Sequence, residues 1–220
     1  MPKCASNSIE AMLKPHSDIQ LSGSSQVRHT NVRNFKIFIE PYLVKVAGLD
    51  GVESICLVRE PVSWLNSWYR FRARHELRAT RNPRSTAHIS FEDFVRAFLS
   101  EPRPPFAQFG TQFDFVRDAE GKVGVDRLFG YNDMEGVVEF FSRRIGRRLQ
   151  IRTLNVSPVK VHASGFIERA DALKRRLLQQ LPLSRPPEPP AQRDVGLPAD
   201  LYAQLRAAIP RDFELYENFT

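Results

Sequence analysis

Two short segments carry residue types that bind phosphorylated nucleotides. The first, Pro2–Ser8, places a lysine before small and hydroxyl-bearing residues and leads into a helical pattern. Small side chains let backbone N–H groups approach phosphate oxygens, and a helix N-terminus adds favourable partial charge. Lys3 would add a point charge, and Ser6, Asn7 and Ser8 would add donors. Taken alone, this segment indicates a helix cap more strongly than a binding loop, and it lacks the Gly-x-x-x-x-Gly-Lys pattern of nucleoside-triphosphate loops.

The second segment runs from a strand directly into a helix. Ser54–Val58 is a short, mainly apolar run, which is typical of a strand buried on both faces of a parallel sheet. Pro61 suits the first turn of a helix. This order brings Arg59 to the carboxyl end of the strand, where a guanidinium can bind a phosphate with two hydrogen bonds. Ser67, two turns along, can donate another. The alternative for Arg59 is a surface ion pair, for example with Glu60.

The remaining sequence alternates helical and strand patterns, which indicates an α/β architecture in one domain over residues 1–220. In such folds ligands bind at the carboxyl ends of the strands. Further helices are predicted at Ser8–Lys14, Asn31–Val46, Ser90–Leu99, Met134–Ile145, Phe166–Leu181 and Leu201–Ile209. Short strands are predicted at Asp18–Ser22 and Arg127–Tyr131, and a small hairpin at Phe113–Val116 and Val123–Val125.

The overall composition limits the class of partner. A net charge of +7 predicts an anionic partner: a nucleotide, nucleic acid, acidic glycan or lipid headgroup. The basic cluster Arg70–Arg78 could receive an acidic glycan, although a solvated basic face is an equal interpretation. Two cysteines, Cys4 and Cys56, are too few for a disulfide framework or a zinc site, and we expect both to be buried. No run is long enough to span a membrane and no signal peptide is apparent, so a cytoplasmic location is expected.

Together, the two segments resemble the sulfotransferases that use 3′-phosphoadenosine-5′-phosphosulfate (PAPS), a group that includes Golgi-type carbohydrate enzymes and many bacterial relatives. In that family a strand ends in Arg-x-Pro, and a serine eight residues after the arginine joins it on the 3′-phosphate of the donor. Arg59, Pro61 and Ser67 match this spacing. The resemblance implies a P-loop-like three-layer fold, with a mostly parallel central sheet flanked by helices.

In the same family a Pro-Lys loop grips the 5′-phosphosulfate, and Pro2–Ser8 is similar to it, with Ala5 where glycine is common and Asn7 where threonine is common. Relatives also bring a late loop over the 3′-phosphate, at the position of Lys160. The resemblance therefore implies a donor site made of Lys3, Cys4, Ala5, Ser6, Asn7, Ser8, Arg59, Ser67 and Lys160. The family's first strand, which precedes the Pro-Lys loop, is missing from this sequence, so we expect either that the true N-terminus lies upstream or that the protein is a truncated form.

Three later stretches extend the resemblance over nearly the whole chain. Tyr131-Asn132 stands where the family usually has Tyr-Glu after a short strand. Leu154–Pro158 is similar to the Asn-x-Ser segment of relatives. The acidic and aromatic tail Asp212–Tyr216 is similar to the family's closing helix.

The resemblance also implies a mechanism. Sulfuryl transfer to a hydroxyl of a saccharide or other small acceptor is expected to be in-line, so the protein mainly positions groups and stabilises charge. Lys3 would stabilise charge on the leaving phosphate. His29 resembles the family's histidine and is the candidate base, ahead of Glu40; its alternative role is a helix cap. No metal is expected. Trp64 and Trp68 could line an adenine or acceptor pocket, but such a stripe more often packs in the core, and we expect the core.

Two other functions remain open. A basic chain could bind nucleic acid, although it contains no recognised nucleic-acid motif, and we do not expect this partner. The chain could also bind the nucleotide without catalysis. Steep salt dependence would identify the first alternative, and donor binding without turnover would identify the second.

Overall fold

The structure is a computed structural model that describes residues 1–74, 82–151 and 196–218. Predictions for Leu154–Pro158, Lys160 and Phe166–Leu181 therefore lie outside the described residues.

The N-terminal part is helical. Helix α1 spans Ser6–Leu13 and continues into a 3-10 turn, Lys14–His16, that contains Pro15. A short α2, Ser25–Arg28, follows. The predicted helix over 31–46 is confirmed as three consecutive stretches, and the middle one widens into a π-helix because Pro41 has no N–H for regular helical bonding. These stretches are α3 (Val32–Asn34), the π-helical Phe35–Ile39 and α4 (Glu40–Lys45).

The predicted strand at Asp18–Ser22 is wrong. Its backbone pairs with no neighbour in the described part of the chain. A segment of strand-forming composition becomes a strand only when another strand lies beside it, because most of its stabilisation comes from cross-strand contacts.

Two parallel strands form the sheet. Strand β1, Ile55–Val58, follows the prediction, and it pairs with β2, Arg127–Gly130, in a register that sets Val58 opposite Gly130. At the entry to the sheet Asp126 accepts hydrogen bonds from the Ser54 N–H at 2.7 Å and hydroxyl at 2.6 Å. Because the two strands are parallel, the backbone leaves β1 and β2 at the same edge of the sheet.

In the described residues between β1 and β2 there are three helices, and side-chain caps determine where they begin. Helix α5 is Pro61–Arg72, with Glu60 accepting from the N–H groups of its first turn. Helix α6 is Phe91–Leu99, opened by a Ser90–Asp93 capping box. Helix α7 is Gln112–Val116.

The predicted strand at Phe113–Val116 is therefore wrong. Thr111 and Asp114 form a reciprocal capping box that begins a helix there. Only the turn after it matches the predicted hairpin, because Arg117 and Val123 form an isolated antiparallel bridge.

The last elements close the core. Helix α8 is Met134–Ile145 and ends at Gly146, whose φ of 70° is the left-handed conformation that glycine favours. The last two described helices are α9, Ala199–Ala208, and α10, Pro210–Glu217. The largest fully buried side chains come from α5, α6 and α9: Trp64, Leu65, Phe94, Phe98, Leu201 and Leu205.

The fold is thus mixed α and β with a small parallel sheet, and the three-layer arrangement stays a prediction. Among the helices that the structure describes, none has both the length and the apolar composition needed to cross a bilayer.

Candidate anion-binding site

The two predicted segments lie in contact. The Trp64 indole N–H donates to the Pro2 carbonyl at 3.1 Å, and the Arg59 guanidinium lies 3.5 Å from the Lys3 carbonyl. More than fifty residues of sequence separate each pair. The fold therefore places the loop before α1 against the carboxyl end of β1.

Arg59 is held where both strands end. Its Nε donates to the Ser63 hydroxyl at 2.9 Å, and its guanidinium carbon lies 4.3 Å from the centre of the Tyr131 ring. Tyr131 follows β2 directly and donates its N–H to the Val58 carbonyl at 2.6 Å. The alternative ion pair with Glu60 is not formed, because that carboxylate caps α5.

Lys3 lies in a tight turn beside α5. Its φ is 66°, and that of Ala5 is 56°. Loops in turn conformation direct successive N–H groups into anion-binding concavities. The ammonium lies 4.0 Å from the centre of the Phe71 ring. Burial, followed by the charges of Arg74 and Arg59, lowers the pKa of Lys3 to about 8.

One face of α5 joins these two cations. Ser63, Ser67 and Phe71 are spaced four residues apart and so share that face. Arg59 contacts the face at Ser63 and Lys3 contacts it at Phe71. Ser67 lies between them, and its hydroxyl has no hydrogen-bond partner within the described residues. The structure thus brings Lys3 and Arg59 together, and the helical spacing places Ser67 between their contacts with α5.

In the part of the chain that the structure describes, no carboxylate pairs with these cations. Within the described ranges, Lys3, Arg59 and Arg74 form no ion pair with Asp or Glu. Uncompensated, partly buried cations at the mouth of a parallel sheet attract an anion. The chemistry that this arrangement can perform is the binding of a phosphate or sulfate group.

The other predicted loop residues contribute unequally. The Cys4 thiol is buried, and burial raises its pKa to about 12, so its N–H is the group left for a ligand. The Asn7 amide oxygen already accepts from Arg28 at 2.9 Å. Ser6 opens α1, where the first N–H groups have no acceptor inside the helix. Ser8 is buried and donates its N–H to the Ala5 carbonyl.

His29 ends α2, near the same loop. Its N–H donates to the Ser25 carbonyl at 3.0 Å. Burial, and then positive charges that include Arg28 and Lys3, lower the pKa of His29. The lowered pKa favours the neutral imidazole, which is the form that can accept a proton. Glu40, the second candidate base, lies in the first turn of α4.

Two residues that sequence reasoning missed support the site from behind. The Gln112 amide accepts from the Arg59 N–H at 2.9 Å and donates to the Arg59 carbonyl at 2.7 Å. The Asp212 carboxylate accepts from the N–H groups of Gln112 and Phe113, each at 2.8 Å. No local pattern signals these bonds, because their partners are 53 to 100 residues apart.

Comparison with known proteins adds no assignment. No protein-family model, curated protein or solved structure matches this chain. In the described ranges, no group of three or more His, Cys, Asp or Glu side chains is placed to hold a metal ion.

Proposed function

We propose that the protein is a sulfotransferase that uses PAPS to sulfate a hydroxyl of a saccharide or another small acceptor. The observation that carries the proposal is the contact between the Pro2–Ser8 loop and the Arg59–Ser67 segment. Each segment alone has a common structural interpretation. Their meeting at the carboxyl edge of a parallel sheet is what a donor with two anionic ends requires.

The burial of the unpaired cations supports a local anion site. Eight arginines in the described residues each lie within 4.0 Å of a carboxylate. Other cations without such a partner are mostly exposed, including Lys14, Lys45 and Arg96, whereas Lys3, Arg59 and Arg74 are partly buried and close enough to act on one another. A compact cluster of this kind favours a nucleotide over nucleic acid, which needs a continuous row of phosphate contacts.

In the proposed reaction, Lys3 and the loop N–H groups hold the 5′-phosphosulfate, and Arg59 and Ser67 hold the 3′-phosphate. Lys160, which lies outside the described residues, would join Arg59 and Ser67 on the 3′-phosphate. Neutral His29 takes the proton of the acceptor hydroxyl as its oxygen bonds to sulfur. The bond between sulfur and the phosphate oxygen breaks, and Lys3 stabilises the charge that collects on that phosphate. A three-layer fold is part of the same proposal.

Donor binding is tested by isothermal titration with 3′-phosphoadenosine-5′-phosphate (PAP). We expect saturable binding that Arg59→Ala weakens by at least about tenfold, because charge-assisted hydrogen bonds are lost. Arg96→Ala, an exposed arginine on α6, is the matched control and should bind like wild type. Absence of PAP binding, or equal affinity in Arg59→Ala, would contradict the proposal.

Transfer is tested separately, by the mass gain of saccharide acceptors incubated with PAPS. We expect His29→Ala to lower turnover by about 100-fold or more with PAP affinity little changed. PAP binding without turnover on any acceptor would favour the non-catalytic alternative.

A separate titration with DNA tests the nucleic-acid alternative. An affinity for DNA above that for PAP, falling steeply with salt, would favour a nucleic-acid-binding protein instead.

A further inference from the structure

We propose that Gln112 is a positioning residue of the anion site, held in place by Asp212. This inference rests on the proposed function, since it concerns how the same site holds Arg59. Gln112 would not touch the ligand. It would set the direction in which Arg59 leaves the strand.

The geometry of Gln112 is that of a substitute strand. Its side chain is fully buried, and its amide meets both the N–H and the carbonyl of Arg59, at 2.9 and 2.7 Å. Arg59 lies one residue beyond the last paired residue of β1, so neighbouring backbone no longer satisfies both groups. Two bonds to one residue also fix the orientation of the glutamine amide, with its oxygen towards the Arg59 N–H.

Asp212 fixes Gln112 in turn. The carboxylate, on α10, is almost fully buried and accepts the main-chain N–H of Gln112 on one oxygen and that of Phe113 on the other. Helix α7 cannot rotate without breaking these bonds. The C-terminal helix α10 therefore helps to fix the position of Arg59, because it holds α7 and α7 holds Arg59.

The same glutamine also contacts the Pro2–Ser8 loop. The Cys4 thiol lies 3.7 Å from the Gln112 amide oxygen that holds Arg59. One buried side chain thus contacts both halves of the site, the Pro2–Ser8 loop and the end of β1 at Arg59. Binding of an anion between them requires both halves to be held within a fraction of an ångström.

The test is a double-mutant cycle measured with PAP. Gln112→Met keeps the length of the side chain and removes its hydrogen bonds. We expect PAP affinity to fall at least tenfold in Gln112→Met, and to fall little further when the same change is made in Arg59→Ala. Gln108→Met, which removes an exposed amide bonded to Arg103, is the matched control and should bind like wild type. Equal losses in both backgrounds, or no loss, would overturn the inference.

A second readout needs no ligand. Hydrogen exchange of the Arg59 amide should accelerate at least tenfold in Gln112→Met, and more than that of Cys56–Val58, which the sheet protects. Acceleration confined to Arg59 supports positioning, and uniform acceleration or none overturns it. If wild type binds no PAP, the proposed function fails and this readout alone decides the role of Gln112. If Gln112→Met does not fold, Asp212→Asn is measured in its place and should loosen the same amide.

Discussion

Lys3 combines a positive charge with surroundings that disfavour it. Its ammonium is packed over Phe71, and Arg59 and Arg74 add repulsion. A bound anion would reverse that balance, because it supplies the missing negative charge. The protonation of Lys3 is therefore linked to ligand binding.

We expect the affinity for PAP to depend on pH through Lys3. The free protein loses the Lys3 proton above its pKa of about 8, so affinity should fall about tenfold between pH 7 and pH 9. Lys3→Arg keeps its charge over this range and should bind with nearly constant affinity. Calorimetric titration of both proteins at several pH values is the measurement, and parallel profiles would contradict the assignment.

Ala5 occupies a conformation that suits glycine. Its φ of 56° brings the β-carbon close to the backbone, at a cost of about 1–2 kcal/mol, although glycine loses more entropy on folding. Ala5→Gly should therefore raise the free energy of unfolding by up to about 1 kcal/mol in urea denaturation. Ala11→Gly, on the exposed face of α1, is the control and should lower it by about 0.5–1 kcal/mol. A lower stability of Ala5→Gly would count against the left-handed turn.

At the scale of elements, α7 depends on a carboxylate from another helix. Asp212 accepts one N–H on each oxygen. An asparagine there presents an N–H₂ group to one of those donors. Asp212→Asn should therefore lower the free energy of unfolding by about 1–3 kcal/mol, as measured in urea. An unchanged stability would show that these bonds contribute little.

The pH dependence of Asp212 has a defined sign. Burial raises its pKa to about 6, so between about pH 4 and 6 the folded protein binds more protons here than the unfolded chain. Stability from this group should rise as pH falls through 6, and Asp212→Asn should lack that rise. Asp93 is the contrast, because hydrogen bonds from Ser90 lower its pKa and its contribution is lost on acidification. Urea unfolding of the two asparagine variants should show the Asp212 difference from wild type between about pH 4 and 6, and a difference of opposite sign for Asp93 below about pH 4.

The elements that sequence alone predicts are those defined by local chemistry. The apolar run of β1, Pro61 at the start of α5, the Ser90 cap of α6 and Gly146 after α8 lie within a few residues of the feature that they determine. The strand predicted at Asp18–Ser22 was wrong because a strand needs a neighbouring strand to pair with. Residues 113–116 failed because alternating aromatic residues suit both structures and a capping box favoured the helix.

The residues of the candidate site also differ in whether the sequence alone could predict them. Lys3, Arg59 and Ser67 belong to short motifs, so their types and spacing are visible in the sequence. Gln112 and Asp212 act through bonds that span up to 100 residues, and glutamine and aspartate at such positions have no distinguishing pattern. Their roles follow only from the packed structure.

At the scale of the whole molecule, one core unites distant parts of the chain. Leu201, Leu205 and Phe213 from the C-terminal helices pack with Phe94 and Phe98 of α6 and with Trp64 of α5. The last two helices therefore complete the same core that supports the anion site. Loss of packing there should lower the stability of the whole unit.

Leu205→Ala tests this arrangement. The side chain is fully buried, so its truncation should lower the free energy of unfolding by about 2–5 kcal/mol. Gln204→Ala, exposed on the same helix, should change it by no more than about 0.5 kcal/mol. Denaturation followed by circular dichroism provides the comparison, and similar curves for the two variants would contradict the packing.

The position of the indole rings has a practical consequence. Both tryptophans of the chain lie on α5: Trp64 is bonded to the Pro2 carbonyl, and Trp68 has the Lys3 ammonium 5.9 Å from its ring. An anion that draws Lys3 away changes the electric field at these rings. Intrinsic fluorescence should then report occupancy without a label, with a spectral change that saturates at the calorimetric affinity. The two tryptophans would therefore serve as an intrinsic optical probe of the proposed anion binding.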